Sequence, residues 1–564
     1  MQFKLFIIGC CFAASLSLSS QSIDAQQIRQ PFDFPILLSG NFGELRSTHF
    51  HTGIDFKTQG VQGQSIHAPE EGYISHITVS AFAYGYSLSM THSNGLTTFY
   101  GHLSRFAPKI AQFVKEQQYK QERYDLDMSV LPNLLTFGKG DIIAYSGNSG
   151  SSAGPHLHFE VHDTQTDNFL DPIEFFKSEV EDSRSPRITG VMICPMPGRG
   201  AVNGNDKKIM LRVTTAANGQ TTLVGKIEAW GEIGLGIRAY DFMDKTSNIY
   251  GVKDVTLRLE NNVIYHSRIN QFALREAHYL KSFVDYEELR TRGLYYMRSF
   301  VQPGNMMPGI ESRNRGIINI NEQKIYNLTY TLSDAFGNTT NLSIRIEGRP
   351  QAITQPVNKG TLLHWNTDNR VEQGDCQLFI PKGNLYDDFY FQSEEKQVSG
   401  AIAPTYVLHN TLVPIHKSAR LFIRMPKDKD STANVGKYGI VRVVGKGGAW
   451  IPSTYNNGWI EADIKEFGNY SVRTDTTKPT ITPLYVNAWG SRKEISFRLS
   501  DNLSGIQSYR GEIDGRYALF EINRQSVISY IFDKERLQRG QHVVKITATD
   551  FAGNSATFVR PFYW

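Results

Sequence analysis

Alternation between apolar and polar residues is the commonest pattern along this chain, and it predicts β-strands. Residues 72–79 (Gly-Tyr-Ile-Ser-His-Ile-Thr-Val) alternate in this way, as half-buried strands do. In residues 156–161 (His-Leu-His-Phe-Glu-Val) the apolar side chains share one face, and two histidines and a glutamate share the other, because successive side chains of a strand point to opposite faces. Asn94-Gly95 is a hairpin-type turn. We therefore expect a mainly β protein.

Two segments depart from this pattern. Residues 109–115 (Lys-Ile-Ala-Gln-Phe-Val-Lys) are rich in helix formers and predict a short helix. Residues 1–25 combine Lys4, an apolar run from Leu5 to Leu18 and small residues near Ala25, which is typical of a secretory signal peptide. The apolar run is too short to span a membrane, so no transmembrane segment is expected after signal removal. Residues 7–10 (Ile-Ile-Gly-Cys) also resemble a lipoprotein cleavage box.

Composition limits the function classes without selecting one. The chain has 564 residues, which allows three or four domains. Lys and Arg number 59 and Asp and Glu 55, so the charge gives no reason to expect nucleic acid as a partner. Of the 4 cysteines, Cys194 and Cys376 lie beyond the signal. They could form a bridge in an oxidising compartment or remain as two buried thiols.

Histidines and an aspartate recur in three short motifs. These are His51-Thr52-Gly53-Ile54-Asp55, then Tyr100-Gly101-His102-Leu103, then His156-Leu157-His158 after a glycine-rich stretch. Imidazole and carboxylate groups are ordinary zinc ligands, and three of them leave the open position that catalytic zinc sites need. A lone His-x-His on a strand is more often a pair of half-exposed surface histidines, and only the two upstream motifs favour a metal site here.

The three motifs, in this order, resemble the lysostaphin-type zinc endopeptidases, which are peptidoglycan hydrolases. The resemblance covers about residues 40–162 and implies an antiparallel-sheet domain over residues 26–180. It implies that His51, Asp55 and His158, the ligand triad, bind Zn²⁺. It also implies that His102 and His156, the catalytic pair, take part in catalysis without binding the metal.

Other polar residues near the motifs have roles that the sequence leaves open. We expect His49 at the rim of the site and His92 in its wall. Glu160 could orient a metal ligand or be a surface carboxylate. Arg46 could orient a substrate carboxylate or brace its own loop. The segment of about residues 105–137 is longer than the family requires, and it could be a structural insertion or a lid beside the cleft.

Beyond a polar linker at residues 181–186, a weak repeat marks two further stretches. Residues 239–244 and 332–338 of the first stretch resemble residues 499–505 and 548–554 of the second, with an Asp-x-x-Gly-Asn turn in each. Residues 187–349 and 478–564 thus resemble bacterial immunoglobulin-like β-sandwiches. The strand-rich residues 351–475 between them have no identified fold. The acidic turns could bind calcium, although turn chemistry alone also explains their residues.

Together these features predict a secreted or periplasmic zinc metalloendopeptidase of the bacterial cell envelope. Its substrate would be a stem or cross-link peptide of peptidoglycan, cleaved by zinc-activated water with help from the catalytic pair. The β domains could bind envelope protein partners. Two alternatives are a non-catalytic scaffold that binds peptidoglycan or activates another hydrolase, and a secreted protease that acts on proteins.

Overall fold

The computed structural model describes residues 27–216, 220–398, 401–425, 435–445 and 447–564. The predicted signal peptide at residues 1–25 lies outside these ranges. We name four parts by the predicted boundaries: the N-terminal domain (26–180), the second domain (187–349), the third domain (351–475) and the C-terminal domain (478–564). Strands dominate all four, as the alternating pattern predicts. Among the described residues, no helix is both long enough and apolar enough to cross a bilayer.

An antiparallel sheet forms the body of the N-terminal domain. Its strands, in spatial order, are Leu38–Gly40, Ile54–Lys57, His156–Asp163, Leu96–Leu103, Tyr86–His92, Gly72–Val79 and Leu126–Ser129, with Phe169–Leu170 and Thr136–Phe137 paired at the side. A smaller sheet contains Ser65–His67, Ile142–Tyr145 and Arg105–Phe106. We call His156–Asp163 the central strand, because it pairs with the strands that carry the other two motifs.

The predicted helical insertion is present. Its helix is Pro108–Gln121, which begins with a proline in the first turn and ends at Glu122 in the left-handed conformation. The apolar side chains Ile110 and Val114 are buried. The domain ends with the short helix Ile173–Phe176 and the 3₁₀ turn Lys177–Glu179.

The second domain is built on an eleven-stranded sheet whose one parallel pair joins Glu228–Tyr240 to Thr339–Gly348. Its other strands are Arg187–Val202, Ile209–Thr215, Thr221–Leu223, Asp254–Leu259, Asn262–Arg268, Met297–Arg298, Ile310–Ser312, Ile318–Ile320 and Ile325–Ser333. Its helical turns are Leu274–Tyr279, Leu280–Phe283, Tyr286–Arg292 and Asn314–Gly316.

The described residues of the third domain form two five-stranded sheets and one two-stranded sheet, all antiparallel. Its strands are Thr361–Leu363, Asn369–Gln373, Cys376–Ile380, Phe389–Phe391, Ser393–Lys396, Thr405–Leu408, Ala419–Arg424, Tyr438–Val444, Gly447–Ile451, Thr454–Asn456, Trp459–Ile464 and Gly468–Thr474, with a 3₁₀ turn at Val435–Lys437.

The C-terminal domain is a sandwich of two four-stranded antiparallel sheets. Its strands are Thr480–Leu484, Glu494–Ser500, Ile506–Ile513, Arg516–Tyr517, Glu521–Ile522, Val527–Ile531, Gln541–Asp550 and Ser555–Tyr563, and its helical turns are Val486–Ala488 and Trp489–Arg492. Phe497 of one sheet meets Phe558 of the other with ring centroids 5.2 Å apart. Apolar side chains from both inner faces thus form its core, as sandwich packing requires.

The N-terminal and second domains share one hydrophobic core. Phe169–Leu170 pairs with Gln271–Phe272 of the second domain, so hydrogen-bonded pairing crosses the boundary. Phe50, next to the first motif, packs its ring 5.2 Å from that of Phe283. Lys253 forms a buried salt bridge with Asp171 of the N-terminal domain. These contacts make the second domain part of the support of the first motif.

The C-terminal domain also packs on the N-terminal domain, through the helical insertion. Lys115 lies 2.7 Å from Asp533, and the Arg536 guanidinium lies 3.6 Å from the centre of the Tyr119 ring. The insertion therefore supports a neighbouring domain, whatever else it does beside the cleft.

Candidate metal centre and active site

Strand order brings the ligand triad together. Pairing places His158 of the central strand opposite Asp55 on one side and opposite Gly101, the residue before His102, on the other. His51 precedes the Ile54–Lys57 strand and reaches the same point from a loop. All three triad residues are buried, with 3–7% of their surface exposed.

The three donor atoms of the triad converge. His51 Nε2 lies 3.1 Å from His158 Nδ1 and 3.2 Å from Asp55 Oδ1, and His158 Nδ1 lies 3.0 Å from Asp55 Oδ1. One atom from each residue therefore faces a common point, and this group could hold a metal ion.

The opposite atom of each triad residue is held by a second partner. His51 Nδ1 donates to the Asn41 carbonyl at 2.8 Å, and His158 Nε2 lies 2.9 Å from Glu160 Oε1. Arg46 donates to Asp55 Oδ2 at 2.9 Å. Such partners fix the orientation of metal ligands and leave their other atom free for the metal.

The catalytic pair lies beside the triad. The rings of His102 and His156 have centroids 4.8 Å apart, and His156 Nε2 lies 3.7 Å from Asp55 Oδ1. Nδ1 of His102 donates to the Ser149 carbonyl at 2.9 Å, and Nδ1 of His156 donates to the Gly154 carbonyl at 2.8 Å. Because both Nδ1 atoms are committed, each ring has Nε2 available for proton transfer.

The backbone at His102 is unusual. Its φ of 60° lies in the left-handed region, which residues with a side chain seldom adopt and which is often found at functional sites. Its N–H donates to the Tyr84 carbonyl at 2.8 Å, which helps to hold this conformation.

Glu160 is buried and is the centre of a hydrogen-bond network, so the reading as a surface carboxylate is wrong. It is 3% exposed. Besides His158, it accepts a hydrogen bond from Thr52 at 2.5 Å and lies 2.8 Å from His162 Nε2. Tyr84 stacks on the His158 ring with centroids 4.9 Å apart. Together these contacts fix the ring plane of His158.

Burial and hydrogen bonding shift the pKa values in this region. Burial would lower the pKa of His158, but its bonds to Asp55 and Glu160 outweigh burial and raise the pKa to about 9. Burial would likewise raise the pKa of Asp55, yet His51 and His158 hold it well below its usual value. Burial lowers the pKa of His102 to about 4, so this imidazole is neutral at pH 7.

The remaining sequence candidates lie around the site. Nδ1 of His49 lies 3.0 Å from the Thr48 hydroxyl, outside the triad. His92 is buried, with hydrogen bonds to Glu71 and Thr98. Arg46 donates to Asp55 and to Glu44 of its own loop, so its guanidinium holds a residue of the triad.

The two cysteines of the described chain are free thiols. Both Cys194 and Cys376 are buried and unbridged. Of the two possibilities left open by the sequence, the structure has the buried thiols.

The glycine-rich stretch before His156 and one arginine of the C-terminal domain complete the site. The loop of residues 147–154 carries the carbonyls that orient the catalytic pair. Gly147 allows this loop to lie against the backbone near His102, since a Cβ there would be 2.3 Å from the Ser104 nitrogen. Arg524 of the C-terminal domain donates to the Ser152 carbonyl of the loop at 2.6 Å. No local pattern could have revealed a contact across 372 residues.

Comparison with known proteins gives two family matches. Residues 49–119 match the profile of peptidase family M23, and residues 360–475 match that of the Zu5-like domain. The first match includes His51, Asp55 and His102, and the second covers most of the third domain.

Relatives match over a limited part of the chain. An uncharacterized metalloprotease of Haemophilus influenzae is 33% identical over 112 residues, which are 20% of this chain and 18% of that protein. The DD-carboxypeptidase/endopeptidase Mpg of Neisseria meningitidis serogroup B is 30% identical over 117 residues, 21% of each. The chain thus matches about a fifth of the length of these curated relatives.

Among solved structures, the catalytic domain of lysostaphin from Staphylococcus simulans aligns with this chain at 22% sequence identity and a TM-score of 0.19. The alignment includes 25% of this chain and 92% of the lysostaphin domain. The profile match covers the segment that carries the first two motifs. The N-terminal domain of this chain therefore carries a segment, residues 49–119, that matches peptidase family M23.

Proposed function

We propose that the protein is a zinc endopeptidase that cleaves peptide bonds in bacterial peptidoglycan. The observation that carries this proposal is the convergence of His51 Nε2, Asp55 Oδ1 and His158 Nδ1, with the catalytic pair beside them. The metalloprotease and endopeptidase relatives support the same reaction class.

The donor set suits zinc. Tetrahedral coordination with bond lengths of about 2.0–2.1 Å places ligand atoms about 3.3–3.4 Å apart, and the triad atoms are 3.0–3.2 Å apart. Two imidazoles and one carboxylate match the ligand types of catalytic zinc. A ligand imidazole must be neutral, so metal binding would release the Nδ1 proton of His158.

Zinc bound there would supply a water of lowered pKa and polarise the scissile carbonyl. The chain's own residues would position the substrate and move protons. Nε2 of His102 and of His156 are the two atoms that accept or donate a proton, because Nδ1 of each ring is held by a carbonyl. Glu160 and Tyr84 would hold the His158 ring in the orientation that binding needs.

A neighbouring cavity of about 490 Å³ could receive one side of the peptide. Its lining includes Pro155, next to His156, Lys57, Phe34 and Asn248 of the second domain. The Lys57 ammonium would attract carboxylates, which peptidoglycan stem peptides carry.

A peptidoglycan substrate requires the protein to act in the periplasm or outside the cell, in agreement with the predicted signal peptide.

The test is a comparison of substrates with the purified full-length chain loaded with zinc. Purified sacculi and a glycine-rich protein are incubated side by side with the wild type and the Asp55→Ala variant, and the products are identified by mass spectrometry. We expect new amino termini in stem or cross-link peptides from the wild type alone. Cleavage of the protein substrate only would favour a protease that acts on proteins. Binding to sacculi without cleavage would favour a non-catalytic scaffold.

A further inference from the structure

Two clusters of three aspartates lie far along the chain from the ligand triad. The upstream acidic cluster is Asp182, Asp241 and Asp334, and the downstream acidic cluster is Asp475, Asp501 and Asp550. In each cluster one carboxylate oxygen per residue lies within 4.8 Å of the other two. These residues come from the linkers and from the repeated turns that the sequence shows, so the weak repeat has a structural counterpart.

Each cluster is built from the same three parts. The first aspartate belongs to the linker before a β domain and stands four residues before a proline, Pro186 or Pro479. The second follows a strand, Glu228–Tyr240 or Glu494–Ser500. The third begins the Asp-x-x-Gly-Asn turn late in each domain. Two separate domains thus place three carboxylates together in the same way.

The turn asparagine fastens the linker in both places. Asn338 Nδ2 donates to the Asp182 carbonyl at 3.0 Å and to Asp334 Oδ2 at 2.7 Å. In the downstream cluster Asn554 Nδ2 donates to the Asp475 carbonyl at 3.1 Å and to Asp550 Oδ2 at 2.8 Å. This bridge brings the linker aspartate against the turn.

Several buried oxygens in the clusters have no hydrogen-bond partner. Asp241 is 6% exposed, and its Oδ1 is unpartnered, as is Oδ2 of Asp182. In the downstream cluster Oδ1 of Asp501 is unpartnered, and so is the hydroxyl of Ser504, which is 6% exposed. The Ser504 N–H donates to Asp475 at 2.9 Å, so this hydroxyl belongs to the same group. A buried oxygen without a partner is costly unless a ligand meets it.

The negative charge of the six aspartates also requires a positively charged ligand or protons. Within the described part of the chain, none of the six carboxylates forms an ion pair within 4.0 Å of a lysine, arginine or histidine, and the nearby Arg184 lowers the pKa of Asp241 by less than burial raises it. Burial, together with the other carboxylates of the upstream cluster, raises the pKa of Asp241 to about 8. Three carboxylates in contact repel each other unless protons or a cation neutralise them.

We propose that each acidic cluster binds a calcium ion that fastens a linker to the domain that follows it. The donors are all oxygens, which excludes the soft ligand sets that favour zinc or copper. Carboxylate oxygens supplemented by backbone oxygens and water are the ligands of Ca²⁺, which accepts irregular geometry more readily than Mg²⁺.

Calcium at these junctions would set the directions of the domains. The upstream site would fix the linker between the N-terminal and second domains, and the downstream site the linker between the third and C-terminal domains. The C-terminal domain carries Arg524, which contacts the catalytic loop. Calcium would therefore act on the active site through domain placement and would not take part in the chemistry.

The test measures Ca²⁺ stoichiometry in the full-length, zinc-loaded chain after treatment with a calcium chelator. Isothermal titration calorimetry should find two Ca²⁺ per chain, with dissociation constants on the order of 10⁻⁴–10⁻³ M, as in extracellular modules. The variants Asp241→Asn and Asp501→Asn should each bind one, and the double variant none. Asp206→Asn, an exposed aspartate of the second domain, is the control and should bind two.

A thermal melt separates metal binding from a purely structural role of these aspartates. Without calcium, Asp241→Asn should melt no lower than the wild type, because the amide keeps the shape and never carries a charge that repels the other two carboxylates. With calcium, only the wild type and Asp206→Asn should gain the full rise in Tm. No saturable Ca²⁺ binding by the wild type, or two ions retained in both single variants, would overturn the proposal. If Asp241→Asn failed to fold, Asp501→Asn would give the same test at the other site.

Discussion

The ligand triad and the two acidic clusters are three-residue groups with opposite surroundings. In the triad, the far side of each ligand is held by another residue, Asn41, Glu160 or Arg46. In the acidic clusters, buried oxygens are left without partners. The triad is thus prepared to hold a small ion in one geometry beside proton-transfer groups. The acidic clusters offer oxygen ligands only, several of them without a partner, and have no neighbouring histidine pair, which suits a structural ion.

The largest effect should come from a change in the triad. Asp55→Ala removes one of three ligands and leaves Arg46 without its partner. We expect zinc content and peptide cleavage to fall together to background, beyond the roughly 10–100-fold loss of affinity that follows removal of an outer partner. Atomic absorption after gel filtration measures the metal. An Asp55→Ala protein that retained one zinc per chain would contradict the assignment. Calcium binding should be unchanged in this variant.

Variants of the catalytic pair should lose turnover without losing the metal. His102→Ala and His156→Ala should each keep zinc and lose roughly 10²–10⁴-fold in kcat, because general acid–base help is of this size. Zinc content and kcat are measured on the same preparations. Loss of zinc in either variant, with zinc retained in His158→Ala, would reverse the roles given to these histidines.

A smaller effect should follow from Glu160→Gln. The amide keeps the shape and can still accept from His158 Nε2, but it loses the negative charge that strengthens this ligand. We expect zinc affinity to fall about 10–100-fold, measured by competition with a chelating dye. Tyr84→Phe is the control for the network, since it removes a hydroxyl 3.4 Å from Glu160 and leaves the ring stacked on His158. An unchanged zinc affinity in Glu160→Gln would show that the charge of Glu160 does not support metal binding.

The smallest effect should come from the contact between the C-terminal domain, which carries the downstream acidic cluster, and the loop beside the catalytic pair. Arg524→Ala removes the hydrogen bond from the C-terminal domain to Ser152. We expect at most about a tenfold fall in kcat, because a hydrogen bond contributes roughly 0.5–1.5 kcal/mol and tenfold is 1.4 kcal/mol. Arg524→Lys, which keeps the charge, should lose less. If Arg524→Ala equalled the wild type on both a small peptide and intact sacculi, the contact would have no part in catalysis.

The alternating pattern and the histidine motifs carry much of this description by themselves. The strand character of residues 72–79 and 156–161, the helix within the insertion and the grouping of His51, Asp55 and His158 all follow from local spacing or from the family motifs. Spacing is informative here because a strand has a period of two, so residues two apart share a face. The resemblance also identified the peptidase domain, which the comparisons support.

Only the tertiary structure decided the surroundings of these residues. Glu160 could be a surface carboxylate or a partner of His158, and burial between neighbouring strands settled this. The core shared through Phe50 and Phe283, the contact of Arg524 with Ser152 and the meeting of Asp182 with Asp334 all join residues more than 100 positions apart. Local propensity carries no information about such pairs, since they form when whole domains bury apolar surface against each other. The sequence therefore determined the chemistry that is present, and the packing of the domains determined how it is held.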